Sequence, residues 1–275
     1  MQEENRTYFK VTLSPARIRR AATLNLNGCW WIFFIGIFIY YILSEVIINI
    51  VSLYFPSGYI AVSTAQLPSY LKEYMVSNPR IPVLLALYAL LMGGALELGR
   101  TIYTLTALRD RMVIPNLMFE GFSAYFRALA ISVVRDCIIT VGFMCFFVPG
   151  IVMYYSYRQV YFVLADNPKA GVLQCLRESR RMMTGNKFAL FRIDMTYIFS
   201  IIVAYIPSYM VLSYAMVDTG TVSGRLMYYL VQIPFFMVMG NYYMGQTVFY
   251  ELLKYGHFKD FPFKGEDFFR EIGKE

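Results

Sequence analysis

The feature of this chain that most constrains its fold is a series of long apolar segments. A helix needs about 20 mostly apolar residues to cross the hydrocarbon core of a bilayer. We delimit six such segments, at 29–55, 82–108, 128–148, 151–165, 188–217 and 226–253. Backbone inside lipid must satisfy its own hydrogen bonds, which favours helices over open sheets. The sequence therefore predicts an all-α, polytopic transmembrane helix bundle of about six spans, forming one domain over 29–253.

Prolines and glycines indicate where this chain turns. Pro cannot continue a helix and Gly permits a tight turn, so Pro149-Gly150 predicts a sharp re-entry between the third and fourth spans. The fifth and sixth spans are longer than a crossing requires, and we expect kinks at Pro207 and Pro234. Segment 56–81 is predicted to be an external loop with a short helix at 69–76, too small for a catalytic domain.

The distribution of charge predicts the orientation. Only 16% of the residues are charged, against about 25% in a typical soluble domain, and the formal net charge is +7. Eighteen Lys and Arg residues lie on one side of the predicted membrane and three on the other, so both termini are expected in the cytosol. Topology and anionic headgroups explain the basic excess. The chain has no soluble basic module with interleaved aromatics for nucleic acid.

Two basic cytosolic segments are predicted to lie along the membrane surface. The N-terminal segment 1–28 holds an amphipathic helix that begins at Ser14-Pro15, because Ser suits the N-cap and Pro the first turn. An interfacial helix is predicted at 168–184, and residues 254–275 form a cytosolic tail. The apolar stripe of the interfacial helix comprises Val172, Leu173, Leu176 and Met183. Six arginines are expected to contact anionic headgroups: Arg17, Arg19, Arg20, Arg177, Arg180 and Arg181.

Charged residues inside the predicted spans are the main functional lead. A charge at the bilayer centre costs about 2.5–3.5 kcal/mol, so such side chains face the bundle interior or water. Seven fall in the cytosolic half of four spans: Glu97, Arg100, Arg135, Asp136, Arg158, Arg192 and Asp194. Glu97 and Arg100 are three residues apart and can pair on one helix face. The set forms either structural interhelical ion pairs, with some arginines snorkelling to headgroups, or a hydrated, slightly positive cavity open to the cytosol.

These alternatives lead to different classes of function. A cavity predicts a transport or lipid-handling protein with a lipid or organic-anion ligand, whereas paired charges predict a non-catalytic accessory or scaffold subunit that binds a membrane protein partner. Glu45, in the outer half of the first span, is either a satisfied polar group or an ion-coupling residue. An intramembrane enzyme would require carboxylates close together, either Glu45 with Glu97 or Asp136 with Asp194, within about 4–6 Å.

Other motifs for chemistry are absent from the sequence. Four cysteines without a CxxC pair and a single histidine do not make a metal site, and there is no HExxH or GxSxG motif. No cofactor is predicted. The sequence offers no pairing of a nucleophile with a base, so it gives no support to an enzyme.

A set of short motifs carries a family resemblance. They are Gly121-Phe122, Tyr125, Arg127-Ala128-Leu129, Val148-Pro149-Gly150-Ile151, Tyr155-Ser156-Tyr157, Leu164-Ala165-Asp166-Asn167-Pro168, Ser179, Met182-Met183-Thr184-Gly185-Asn186-Lys187-Phe188, Thr247 and Phe249-Tyr250-Glu251-Leu252. In this order they resemble a bacterial multi-pass membrane family known only as domain of unknown function 975. More distantly, they are similar to the membrane domain attached to some glycerophosphodiester phosphodiesterases.

The resemblance is best over 121–191 and extends loosely over 17–252. It implies a multi-pass protein of the bacterial cytoplasmic membrane and brings no known activity or catalytic residues. Asn27-Gly28-Cys29-Trp30 stands where the family typically has Gly-Asn-Trp.

Overall fold

The structure is a computed structural model that describes residues 8–46, 80–214 and 222–256. These residues are helical almost throughout and contain no strand, which confirms the all-α prediction. Most of the predicted external loop 56–81, its short helix, the tail beyond residue 256 and the side chain of Glu45 lie outside the described residues.

The described residues form ten α-helices, and a π-helical turn, Ile42–Val46, follows the second of them. A 3-10 segment, Pro115–Ala124, precedes the fourth helix. The helices are α1 (Pro15–Asn25), α2 (Trp30–Tyr41), α3 (Arg80–Arg109), α4 (Tyr125–Cys145), α5 (Phe147–Ser156), α6 (Val160–Asp166), α7 (Val172–Met182), α8 (Lys187–Tyr214), α9 (Val222–Val231) and α10 (Ile233–Tyr255). Their shared core includes the fully buried side chains of Phe33, Tyr103, Tyr161, Tyr197 and Phe249.

Within the described residues, two helical stretches are long and apolar enough to cross a membrane. They are Pro115–Cys145 and Lys187–Met210. A third is added if Pro15–Asn25 and Trp30–Ser44, which meet at 104°, count as one broken span. Helices of this kind indicate a membrane protein. The count of six spans and the cytosolic termini stay predictions.

The hairpin between α4 and α5 differs from its predicted geometry. The helices break at Phe146, whose backbone is extended (φ −164°, ψ 155°), so the turn precedes Pro149-Gly150. Pro149 lies in the first turn of α5, where its missing N–H removes no helical hydrogen bond. Gly150 instead permits close packing, because a Cβ there would come within 2.3 Å of the Phe143 ring.

The predicted fourth span, 151–165, is not one continuous helix. Helix α5 ends at Ser156 and α6 begins at Val160, with a turn between them. The five successive residues of α6 from Val160 to Leu164 are all buried. The break places Arg158 in the turn, where its side chain bonds to Tyr154 of α5 and Tyr242 of α10.

The predicted kinks have two outcomes. Pro207 lies inside α8, which is one uninterrupted helix over Lys187–Tyr214. Near Pro234 the chain does break: α9 ends at Val231 and α10 begins at Ile233. The sixth predicted span is therefore two helices.

The two predicted amphipathic helices form, and each packs against the protein. Helix α1 begins at Pro15 after Ser14, as predicted. Helix α7 is shorter than 168–184 because Asn167 to Gly171 form a turn. Leu176 of its predicted apolar stripe is buried, whereas Leu173 is 70% exposed, and Ser179 donates a hydrogen bond to the Ser156 carbonyl at 3.0 Å. Much of the apolar face of α7 is therefore covered by protein and not free for lipid.

A short N-terminal segment ties three parts of the chain together. The Phe9 amide donates to the Leu253 carbonyl at 3.1 Å, at the end of α10. The Asn186 side chain, just before α8, accepts from the Val11 amide at 2.9 Å and donates to the Phe9 carbonyl at 3.1 Å. These contacts place the start of α1 beside the end of α10.

The cysteines offer a direct test of orientation. Cys145 is exposed at the end of α4, on the predicted outer side, whereas Cys175 is buried in α7 and burial raises its thiol pKa to about 11. Because thiolate is the reactive species, Cys175 should stay unlabelled at neutral pH. We expect a membrane-impermeant maleimide to label intact cells at Cys145, and Cys145→Ser to abolish the signal. If Cys145 is labelled only after the cells are broken, the end of α4 lies inside the cell and the predicted orientation is wrong.

Candidate functional site

A cavity of about 250 Å³ lies where α3, α4 and the turn between α5 and α6 meet. At about 30 Å³ per water molecule, it has room for roughly eight waters or a small polar group. Its lining residues are Glu97, Arg135, Asp136, Ile139, Tyr154, Tyr157 and Arg158. Four of the seven charged residues singled out in the sequence therefore line one cavity.

Glu97 is the centre of an ion-pair network on one side of the cavity. Its Oε2 lies 3.2 Å from Nη1 of Arg135, and its Oε1 lies 3.4 Å from Nη2 of Arg100. The second contact confirms the predicted pairing along α3. Arg135 also contacts Oδ1 of Asp136 through Nε, at 2.9 Å. Two arginines and two carboxylates thus neutralise one another.

Aromatic rings complete the surroundings of the paired arginines. The guanidinium of Arg100 lies 3.9 Å from the ring centre of Tyr243 and 5.5 Å from that of Tyr40. The guanidinium of Arg135 lies 4.9 Å from the ring centre of Tyr161. Ring faces attract cations, so these contacts hold both arginines in place away from bulk water.

Arg158 has a different set of partners. Its Nη1 donates to the hydroxyl of Tyr154, and its Nη2 donates to the hydroxyl of Tyr242 at 2.7 Å. Among the described residues, no carboxylate lies within ion-pair distance of Arg158. Its charge is therefore met by neutral hydroxyls on the wall of the cavity.

Asp194 is held by neutral donors in the same way. It accepts hydrogen bonds from the hydroxyls of Tyr155 at 3.0 Å and Tyr242 at 3.2 Å, and from the Gln246 amide at 2.8 Å. The Tyr242 hydroxyl accepts from Arg158 and donates to Asp194, so it links the two charges. Asp194 belongs to the network without lining the cavity.

Arg192 does not join the other six charges. Its side chain is exposed, and its guanidinium lies 5.5 Å from the ring centre of Phe188 on the same helix. The predicted excess of four arginines over three acids therefore becomes three arginines and three acids around the cavity. The predicted slight positive excess is corrected by this placement.

Of the two carboxylate pairs that an enzyme would require, the structure describes both side chains of one, Asp136 with Asp194, and these two have separate hydrogen-bond partners. Asp136 bonds to Arg135 and to Ser132, whereas Asp194 bonds to Tyr155, Tyr242 and Gln246. No group of three or more His, Cys, Asp and Glu side chains within the described ranges could hold a metal ion.

The arginines predicted at the membrane surface have two environments. Arg20, Arg177, Arg180 and Arg181 are exposed, and Arg17 is half-buried. Arg19 instead donates to the Thr196 carbonyl at 3.2 Å and to the Ser200 hydroxyl at 2.8 Å, so it joins α1 to α8.

A second polar cluster was not predicted from the sequence. Asp166, at the end of α6, receives hydrogen bonds from Arg109 at 2.6 Å, Lys254 at 2.6 Å and Tyr250 at 2.5 Å. Arg109 also bonds to Glu251 at 2.7 Å. Burial raises the pKa of Asp166, but the hydrogen bonds and charge of Arg109, together with those from Lys254 and Tyr250, outweigh it and lower the pKa overall.

The signal for this cluster lay in two of the short motifs that carry the family resemblance. Leu164-Ala165-Asp166-Asn167-Pro168 and Phe249-Tyr250-Glu251-Leu252 contain three of its members. They stand at the ends of predicted spans, where charged residues are common and do not by themselves indicate a site. The structure shows that these two distant motifs meet through Arg109 at the end of α3.

Comparisons with known proteins give a partial match to a family model and no activity. No curated protein and no solved structure matches the chain. A family model matches the chain from the 3-10 segment almost to the end of α10, a region that includes Arg135, Asp136, Arg158 and Asp194 of the charged network. The match covers residues 122–254, just under half of the chain, and the family is described as "Protein of unknown function (DUF975)".

Proposed function

We propose that this protein handles a lipid or organic anion by binding its anionic group in the cavity beside Arg158. The observation that carries the proposal is the pairing of Arg158 with neutral hydroxyls alone, on the wall of a 250 Å³ cavity. A guanidinium has five N–H donors, and only two are engaged by Tyr154 and Tyr242 in these contacts. An arriving phosphate or carboxylate can therefore accept further hydrogen bonds from Arg158.

The electrostatics favour Arg158 over its neighbours as the anion-binding group. Arg100 and Arg135 already contact carboxylates, and an anion would have to compete with Glu97 or Asp136 for them. The bonds from Arg158 to the tyrosine hydroxyls join a cation to neutral acceptors, so an anion, which adds its own charge to the bond, can compete with a tyrosine hydroxyl.

The size and predicted depth of the cavity favour a small polar group. Ligand pockets for whole drug-sized molecules span about 300–1,000 Å³, so this cavity suits a headgroup with its acyl chains left in lipid. We further propose that the chain is a multi-pass protein of the bacterial cytoplasmic membrane with six spans and both termini inside. In that topology Arg135 and Arg158 lie in the cytosolic half of the bilayer.

Arg158→Gln tests the anion site. We expect the variant to bind a short-chain phosphatidic acid about tenfold to a hundredfold more weakly than the wild type, because a charge-assisted hydrogen bond contributes about 1.5–3 kcal/mol. Native mass spectrometry of the detergent-solubilised protein, titrated with the lipid, measures this change. Arg192→Gln is the matched control, since Arg192 is exposed and off the cavity, and it should bind as the wild type does.

The result that overturns the proposal is equal affinity in wild type and Arg158→Gln when both have the same thermal unfolding midpoint. Loss of affinity in Arg192→Gln as well would mean that lipid binds through general surface charge. In that case the cavity has no part in binding.

The alternative function is a non-catalytic accessory or scaffold subunit, and the exposed arginines of α7 favour it. Arg177, Arg180 and Arg181 are all exposed, although the apolar face of this helix is packed on the protein. A basic surface held rigidly in this way can bind an acidic face of another membrane protein. Charge reversal at these three positions would then release a co-purifying partner, while Arg158→Gln would not.

A further inference from the structure

The charges around the cavity balance, and this limits what it can bind. Each of the three arginines is linked to a carboxylate, directly or through Tyr242. A guest with a net charge would bind less tightly than one whose charges balance, because its excess charge would have no counterpart in a poorly polarisable surrounding. The balanced set comprises Glu97, Arg100, Arg135, Asp136, Arg158 and Asp194. A guest with no net charge, but with separated positive and negative groups, meets this condition.

The lining also offers one available group of each sign. Arg158 supplies the positive group, because its partners Tyr154 and Tyr242 are neutral. Asp136 supplies the negative group. Its side chain is 53% exposed, and its Oδ2 receives only a 3.3 Å hydrogen bond from Ser132. Glu97 is less available, since each of its oxygens contacts an arginine.

We infer that the guest is a zwitterion whose phosphate or carboxylate binds Arg158 and whose ammonium group binds Asp136. This inference rests on the proposed function and specifies the ligand class of the same cavity. Tyr154 and Tyr157 line the cavity and add aromatic surface, which attracts an ammonium group. A phosphoethanolamine diester, as the headgroup of a phospholipid or in water-soluble glycerophosphoethanolamine, carries one negative and one positive charge and has a size suited to the cavity.

The preference between lipids tests the inference. The probes are short-chain phosphatidylethanolamine and short-chain phosphatidic acid with the same acyl chains, bound to detergent-solubilised protein at 0.3 M salt, roughly, to screen the basic surface. We expect the wild type to bind the ethanolamine lipid about tenfold more tightly, because the ammonium group adds one charge-assisted contact. Asp136→Asn should bind both lipids alike. Glu120→Gln, an exposed acid away from the cavity, should keep the preference.

Glycerophosphoethanolamine, which keeps the phosphodiester and its single negative charge, distinguishes the two sources of the group. Displacement of the lipid by millimolar glycerophosphoethanolamine, roughly the concentration needed for a weak ligand, would show that the headgroup alone is recognised. Failure to displace would identify the intact lipid as the guest.

The inference and the proposed function fail in different ways. If Asp136→Asn retains the preference for the ethanolamine lipid, or if the wild type has no such preference, the inference that the guest is a zwitterion is wrong. The anion site at Arg158 then still stands if Arg158→Gln weakens the binding of both lipids. If Arg158→Gln binds both lipids as the wild type does, the proposed function is wrong and the inference with it.

Discussion

Gly121→Ala and Gly99→Ala are each expected to destabilise the fold strongly. A Cβ on Gly99 would lie 1.9 Å from the Met118 carbonyl oxygen, and a Cβ on Gly121 would lie 2.1 Å from the Ala95 carbonyl oxygen. Both contacts are with backbone, so no side-chain rotation relieves them. Helix α3 and the 3-10 segment would have to separate. Because overpacking a well-filled interior costs about 1–3 kcal/mol, and more where backbone must move, we expect a loss of at least about 3 kcal/mol.

Gly93→Ala is the matched control on the same helix. A Cβ at Gly93 meets no atom within 4 Å, whereas one at the adjacent Gly94 would lie 2.6 Å from the Ala128 carbonyl oxygen. Replacing glycine by alanine in an open helical position gains about 1 kcal/mol in helix propensity. Thermal unfolding and size-exclusion profiles in detergent compare the variants. A Gly121→Ala protein with the wild-type midpoint would contradict the packing described for α3.

The same packing controls the candidate site. Glu97 precedes Gly99 by two residues, so the close approach of α3 to the 3-10 segment also fixes the position of Glu97. Helix α4 follows that segment directly and carries Arg135. The 3.2 Å contact between Glu97 and Arg135 therefore depends on the close packing at Gly99, two residues further along α3.

Much of the fold was predictable because it follows from apolar length alone. The predicted span 82–108 corresponds to α3 over Arg80–Arg109, and 188–217 corresponds to α8 over Lys187–Tyr214. The break between α5 and α6 was not predictable in this way. The turn contains Tyr157, Arg158 and Gln159, none of which is a residue that ends helices. The break coincides with the start of the buried stretch of α6, Val160 to Leu164.

Of the seven charged residues selected by their predicted depth in the bilayer, six form the network. Helix geometry explains why the seventh, Arg192, does not join it. Residues two apart on a helix point in directions about 200° apart, so Arg192 and Asp194 cannot face the same interior. The partners of Arg158 could not be identified from the sequence. The chain has 24 tyrosines, and the composition indicates only that tyrosine suits a membrane interface. Tyr154, Tyr155 and Tyr242 instead bond to charges inside the bundle.

Asp166→Asn is expected to destabilise the protein by about 3 kcal/mol at neutral pH, the scale for breaking a largely buried ion pair. The wild-type carboxylate accepts from Arg109, Lys254 and Tyr250, and its side chain is only 14% exposed. The neutral amide keeps the shape but removes the charge opposite two cations. Lys254 would have no other ion-pair partner within the described part of the chain. Chemical unfolding in detergent, followed by circular dichroism, measures the loss.

The acid limb of the stability curve separates this electrostatic cause from a packing defect. The pKa of Asp166 is lowered in the fold from its ordinary value of 3.8, so both states are ionised at neutral pH and the contribution is complete. As the pH falls below about 4, the unfolded chain takes up the proton first, and the contribution is lost as the pH passes through the folded-state pKa. The advantage of wild type over Asp166→Asn should therefore shrink there. Asp110→Asn, an exposed acid just after α3, should leave the curve unchanged. A difference between wild type and Asp166→Asn that stays constant down to pH 3, roughly, would mean that the carboxylate charge does not stabilise this cluster.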